Sequence, residues 1–428
     1  MIIDRLLSTP MVPWRIRNAL TNYLENSLYF SAPVLYRLLK VGRCAVPPLA
    51  LTTGPMHHFF GYYDKSPWSG DFRFLLAHAA DQGFSMPKSG EKCKIGIVPA
   101  DGGDFHPLAD SMAWNYQQGA MLQWFPKDDT KVFVFNSRQK DRFISIMQHI
   151  DQGEISRFDR PVYALHPNGK QAYSLNFSRL ANLRPDYGYA GVPDPFADSH
   201  APKEDGVFLI DLETDSSRLI VPLKVLSEFN ISNSMRNTYH WVNHIQVSPN
   251  GERFAFLHRW RIKDGKHRSR LYCARADGDE LSCMLDTGMV SHYDWIDENQ
   301  VIVYASGERY DCYQVVDSKG SIRCEVPAAI ASGDGHCTLS PNGRYILTDT
   351  YPNSYRKQIL FIFDFFNPNN KYVLNSFWSC DKARGSVRCD LHPRWRQDGR
   401  QICIDSTHEG SRQMYCLNVP SFLSDHAG

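Results

Sequence analysis

Histidine recurs at one phase of this chain. His244, His292, His336 and His392 each stand the same distance ahead of a turn, in His244-Ile-Gln-Val-Ser-Pro249, Ser291-His-Tyr-Asp-Trp295, Gly335-His-Cys-Thr-Leu-Ser-Pro341 and Cys389-Asp-Leu-His-Pro-Arg-Trp395. Imidazole is the commonest protein metal ligand and a base that switches near neutral pH, so metal binding and proton abstraction are the two chemistries open to such a set. Cys337 follows His336 and Cys389 lies three residues before His392. Thiolate and imidazole together suit a tetrahedral zinc. The expected ligand set is therefore His292, Cys337, Cys389 and His392, holding a divalent metal: zinc first, with manganese or calcium as alternatives. Neighbours on a strand face opposite ways, so His336 and Cys337 compete for the inward place. The other reading of the same register is a water-filled channel lined by neutral imidazoles.

What must position these residues is a repeat. Turn-plus-strand units begin at Ser66, Pro126, His166, Ser248, Asp297, Ser340 and Gln397, and each is followed by an apolar strand and a partner strand downstream. Examples are Ser248-Pro-Asn-Gly251 with Phe254-Ala-Phe256 and then Arg270-Leu-Tyr-Cys273. A small antiparallel sheet of this kind cannot bury both faces alone, and stacking radially is its stable solution. Seven units predict an all-β, seven-bladed β-propeller over residues 51–428, with a short N-terminal helical extension over 1–50. The strand before each turn is then the innermost. Its aligned positions, Tyr62, Met121, Val162 and the four histidines, converge on the axis.

Composition bounds the partners. Lys plus Arg is 47 against Asp plus Glu 46 in 428 residues, which gives no pull toward nucleic acid. The N-terminus lacks a secretory apolar core, and eleven scattered cysteines fit reduced thiols, so the expected location is cytoplasmic. Val12, Ile16, Leu20 and Leu24 keep helical spacing among several arginines, so residues 1–45 are a candidate for peripheral membrane contact or for packing on their own domain. Closed propellers leave no free edges, and a monomer is expected. Residues 176–203 and 222–238 form the widest gaps between units and are expected to wall one mouth of the channel.

The histidine segments quoted above resemble those of the propeller polysaccharide lyases, in two branches, the oligogalacturonate lyases and the ulvan lyases. The likeness covers most of residues 55–417 and is closest in the last four units. It implies β-elimination on a uronic-acid-containing oligosaccharide or polysaccharide. From the oligogalacturonate branch it implies His244 as the base and His292 and His392 as metal ligands. That branch has glutamine where Cys389 stands and histidine where Arg394 stands. Tyr163 and Arg179 match the spacing of an active-site Tyr and Arg in the ulvan branch, whose paired histidines are replaced here by Gln117 and Gln118.

Elimination beside a uronate carboxylate needs a charge to neutralise that carboxylate, a base for the α-proton and an acid for the leaving oxygen. Arg179, Arg184 and Arg259 are candidates for the first task, since the guanidinium fork binds both oxygens. His244 or Tyr163 is the candidate base, and Tyr163 or Tyr239 the acid. His58 and Gln118 join Arg184 and Arg259 as substrate-binding candidates. The contrasting class is a non-catalytic glycan-binding or assembly propeller.

Overall fold

The computed structural model describes residues 46–81, 83–326 and 333–424; the N-terminal segment 1–45 read as helical lies outside the described residues. Seven four-stranded antiparallel sheets surround one axis. Six are simple meanders, spanning 57–111, 123–158, 164–222, 240–288, 290–326 and 338–378. The seventh takes three strands from 394–418 and its outer strand from Leu49–Ala50, which pairs with Tyr415 and Cys416. The ring is thus closed by the two ends of the described chain, and the propeller starts before residue 51. Among the described residues, no helix is long and apolar enough to cross a membrane.

Each blade buries both faces of its two middle strands against its neighbours. Phe254 and Phe256 of blade 4 meet Tyr173 of blade 3 and Tyr272 of their own sheet, and all four rings are fully buried. The repeated turn has a local cause. In Ser248-Pro-Asn-Gly251 the Ser248 hydroxyl bonds to Asn250, the Gly251 amide donates to the Ser248 carbonyl at 2.9 Å, and Gly251 sits at φ +77°. That left-handed conformation favours glycine.

In blades 4 and 5 the inner ladder breaks at the aligned position. Met121, His244 and His392 have φ of +52°, +53° and +43°. The pairing of blade 4 slips between Asn243 and Gln246, and that of blade 5 between Val290 and Tyr293. Such irregularities turn a side chain out of strict alternation, here toward the axis. Side chains accept the amides so released. The His244 amide donates to the Tyr163 hydroxyl at 3.0 Å, and Asp349 accepts the amides of His336 and His392 at 2.9 and 3.2 Å. Two chain excursions decorate the ring. Helix α1 (Phe177–Leu183) leads into the 184–205 loop over blade 3, and helix α2 (Leu223–Glu228) with the turn at Asn233–Met235 covers the start of blade 4.

Buried neutral imidazoles set the acid limit of this fold. His78 receives the Ala120 amide at 2.9 Å, and His240 is bonded to His258 and to the Met235 carbonyl. Burial pushes both down to about 4 from an ordinary 6.5. Between those values the unfolded chain binds more protons than the folded one, so stability rises with pH across this window. His336 opposes the trend. Asp349 raises it, so its contribution is present below 6.5 and lost as pH rises through its folded value. The two lowered imidazoles outweigh the single raised one, and the urea midpoint is expected to fall on acidification from pH 7 to 5. A flat or rising midpoint would show that these imidazoles are already protonated in the native state.

Candidate active site

The four aligned histidines and Tyr62 form one cluster on the axis. His336 lies 4.2 Å from His292 and 4.3 Å from His392 between ring centroids, and His244 lies 6.1 Å from His292. Tyr62 fills the centre, stacked on His244 at 5.0 Å and edge-on to His392 at 5.0 Å. Its hydroxyl is 3.2 Å from His244 Nε2. All five side chains are nearly inaccessible.

Three of the imidazoles are held by the same device. His292 Nδ1 faces Asp334 at 3.0 Å, His336 Nδ1 faces Asp349 at 2.8 Å, and His392 Nδ1 donates to the Gly61 carbonyl at 2.6 Å. An oxygen acceptor on Nδ1 fixes the tautomer and leaves Nε2 with its lone pair in His292 and His392, which burial holds neutral, whereas Asp349 favours a proton on His336 that a bound metal would displace. His392 Nε2 is buried without any hydrogen-bond partner. Burial and the neighbouring His336 hold His392 well below its usual range, so it is an unprotonated donor at neutral pH. His336, Asp390 and His392 offer ligand atoms that all lie within 4.8 Å of one another. Asp390 is in turn gripped by Arg388 at 2.6 and 2.7 Å. An orphaned imidazole nitrogen beside a second imidazole and a carboxylate fits a divalent metal, with carboxylate and carbonyl groups already orienting the ligands.

The cysteines stand elsewhere. The Cys337 thiol points to the carbonyls of His292 and Ile302 in the apolar seam between blades 5 and 6, and burial keeps it protonated. The Cys389 thiol faces the Asp390 carbonyl and is pushed up to about 12. His336 and Asp390 take the inward places, and the thiols of their cysteine neighbours bond to backbone carbonyls instead. The expected Cys337 and Cys389 ligands are replaced by His336 and Asp390, and a set without thiolate no longer selects zinc. His292 adjoins the trio through the His336 ring.

Above the cluster opens a cavity of about 280 Å³, lined by Arg184, Tyr187, Arg259, His292, Asp334 and Tyr351 among others. Arg259 is buried, makes no ion pair with a carboxylate among the described residues, and leaves its Nε unpartnered. Arg184 and Arg259 share His267 at 3.1 and 3.4 Å. Burial and Arg184 bring Arg259 down to about 10, so it remains a cation at neutral pH. Two guanidiniums bridged by a neutral imidazole, with Asp186 3.8 Å from Arg184 and Asp334 bonded to His292 on the same wall, can take an anion between them. Tyr187 stands edge-on to His244 at 5.3 Å. His244 is held neutral by burial and by Arg259, and its Nδ1 has no partner. Of the two segments expected to wall this mouth, 176–203 supplies Arg184 and Tyr187, whereas 222–238 contributes nothing to the lining.

Arg179 is not available to a substrate. Its nitrogens bond to the carbonyls of His240, Phe196, Ser199 and His200 and to Asp194, so the whole guanidinium is spent on bracing the 184–205 loop. Tyr163 is fully buried behind His244, receiving the His244 amide and Gln118 Nε2 at 2.8 Å, and burial pushes its hydroxyl well above 10. It positions His244, and Gln118 positions Tyr163. Tyr239 packs on His200 and over Arg179, away from the axial cluster. His58 bonds to Gln413 between blades 1 and 7 and leans on Phe105. Sequence reasoning missed Asp390, Asp334, Asp349, Tyr187 and Tyr351. Asp390 stands two residues before His392, but in a stretch that is not a strand and with His392 at φ +43°, so strand period alone does not place it.

No family model and no curated protein matches this sequence. Solved structures do. An oligogalacturonate lyase in complex with manganese superimposes with a TM-score of 0.61 at 14% identity, covering 88% of this chain and 97% of that one. The oligogalacturonate lyase of Vibrio parahaemolyticus gives 0.57 at 12% identity, covering 88% and 95%. At such identities the likeness speaks for architecture: this chain is built on the seven-bladed propeller of the oligogalacturonate lyases.

Proposed function

We propose that this protein is a divalent-metal-dependent lyase that cleaves a uronic-acid-containing oligosaccharide by β-elimination. The observation that carries the reading is the convergence, at one end of one channel, of a metal-donor trio and an arginine pair left with little opposing charge. His336, Asp390 and His392 would hold the metal, and the manganese bound to a structural neighbour supports a divalent ion. When bound, the metal supplies positive charge that acidifies the proton α to the uronate carboxylate.

The chain's own residues carry the remaining tasks. Arg184 and Arg259 bind and orient the carboxylate. His244, neutral at working pH, takes the α-proton; the carbon–carbon double bond forms as the β carbon–oxygen bond breaks. Tyr187 lines the cavity with its hydroxyl held above 10 by burial, and gives its proton to the leaving glycosidic oxygen. Tyr62, bonded to His244, keeps that ring turned to the axis.

The test is incubation of the metal-loaded protein with oligouronates while following the ultraviolet absorbance of an unsaturated uronate. Arg259→Ala is expected to lower kcat/KM about 100-fold, and Arg259→Lys to restore little of it, because an ammonium cannot replace the fork. Retained metal and oligouronate binding with no unsaturated product from any substrate would make the protein a glycan-binding propeller instead.

A further inference from the structure

The same channel has a second polar chamber. Two residues on from the axial positions, where the inner strands end, Asp64, Gln123, Gln246 and Asp294 line a cavity of about 490 Å³. The arginine-lined mouth lies at the other end, where these strands begin. Gln123 is fully satisfied, donating to two carbonyls and accepting the Leu165 amide. Asp294 accepts the Leu339 amide through Oδ2 at 3.1 Å, whereas Asp64 and Gln246 are left short. Asp64 holds Lys65 through Oδ2 at 2.7 Å, but its buried Oδ1 has no partner. Gln246 donates to the Tyr293 carbonyl at 2.9 Å, while its Oε1, on a side chain more than nine-tenths buried, has none. The Ser66 hydroxyl, in the same lining, is also buried and unpartnered.

A buried acceptor left unmet is costly, so several around one cavity point to an occupant. Charge narrows the choice. Asp64, Asp129 and Asp294, the last pushed up to about 7 by burial, face this cavity against Lys65, and Arg394 is already spent on Asp405 and on the Tyr62 and Gly61 carbonyls. An oxygen-only, net negative site suits a hard cation, whereas the imidazoles at the other end suit a softer one. We propose that this chamber is a second cation site. It takes a divalent metal of the calcium class through Asp64 Oδ1, the Asp294 carboxylate and Gln246 Oε1, with water completing the shell.

Trp68, Trp124 and Trp295 line the cavity, so terbium bound there is excited through tryptophan. Titrating the full-length protein with terbium chloride is expected to give saturable sensitised emission that calcium chloride displaces. Asp294→Asn and Gln246→Leu should each weaken both ions at least about tenfold, since ligand charge and number set the affinity of such sites. His392→Ala, at the other end, should leave them unchanged. Circular dichroism checks each fold, and Gln246→Leu decides the matter if Asp294→Asn does not fold. Absent or non-saturating emission, equal affinity in both chamber variants, or loss in His392→Ala alone would overturn the proposal and leave water as the occupant.

Discussion

His392→Ala is expected to empty the axial metal site and to lower kcat/KM by about 1,000-fold, the equivalent of about 4 kcal/mol of lost charge stabilisation. The size of the effect follows from geometry. His392 Nε2 is buried with no partner at all, and its Nδ1 is committed to the Gly61 carbonyl. Alanine there removes a ligand that no neighbour can replace, because His336 and Asp390 are already tied to Asp349 and Arg388. Two companion variants distinguish loss of a metal ligand from a general disturbance of the channel. Asp349→Asn keeps both rings but weakens the orientation of His336, and should cost about 10- to 100-fold in metal affinity. Cys389→Ser should leave metal content unchanged, since that thiol faces the Asp390 carbonyl and not the imidazoles. Equal metal content in wild type and His392→Ala, measured by elemental analysis, would remove the trio as the metal site.

The second large effect concerns stability. Arg179→Ala is expected to destabilise the fold by about 3–5 kcal/mol, read as a lower urea midpoint at unchanged slope. Both members of the Arg179–Asp194 pair are about 2% exposed, so removing the guanidinium strands a buried carboxylate. It also unmakes bonds to three loop carbonyls and to the His240 carbonyl of blade 4 at once. A substrate-binding arginine would behave differently, losing turnover at constant stability. Since the loop braced by Arg179 carries Arg184 and Tyr187 to the channel mouth, activity should fall as well, but only together with the stability. A variant as stable as wild type but inactive would make Arg179 a substrate contact after all.

The propeller was legible in the sequence because its cause is local and repeated. Each blade needs an alternating apolar strand and a tight turn, and the chain writes that pair seven times at a spacing only radial stacking satisfies. The register of His244, His292, His336 and His392 followed from the same regularity, since equal distances from equivalent turns place side chains at equivalent heights on the axis. What alternation could not decide was which of two neighbours faces inward. His336 over Cys337, and Asp390 over Cys389, were settled by Asp349 accepting backbone amides from two blades and by Arg388 gripping Asp390, and neither leaves a mark in hydrophobic period. Arg179 and Arg259 were likewise indistinguishable by residue type. One is surrounded by carbonyls of a loop that folds back upon it, and the other meets Arg184 across a cavity and has no carboxylate paired with it among the described residues. Those partners are distant in sequence, and only the closed ring brings them together. Strand period and turn chemistry are local properties, which the sequence by itself determines; the electrostatic surroundings of a side chain belong to the assembled ring, and the tertiary structure alone decided them.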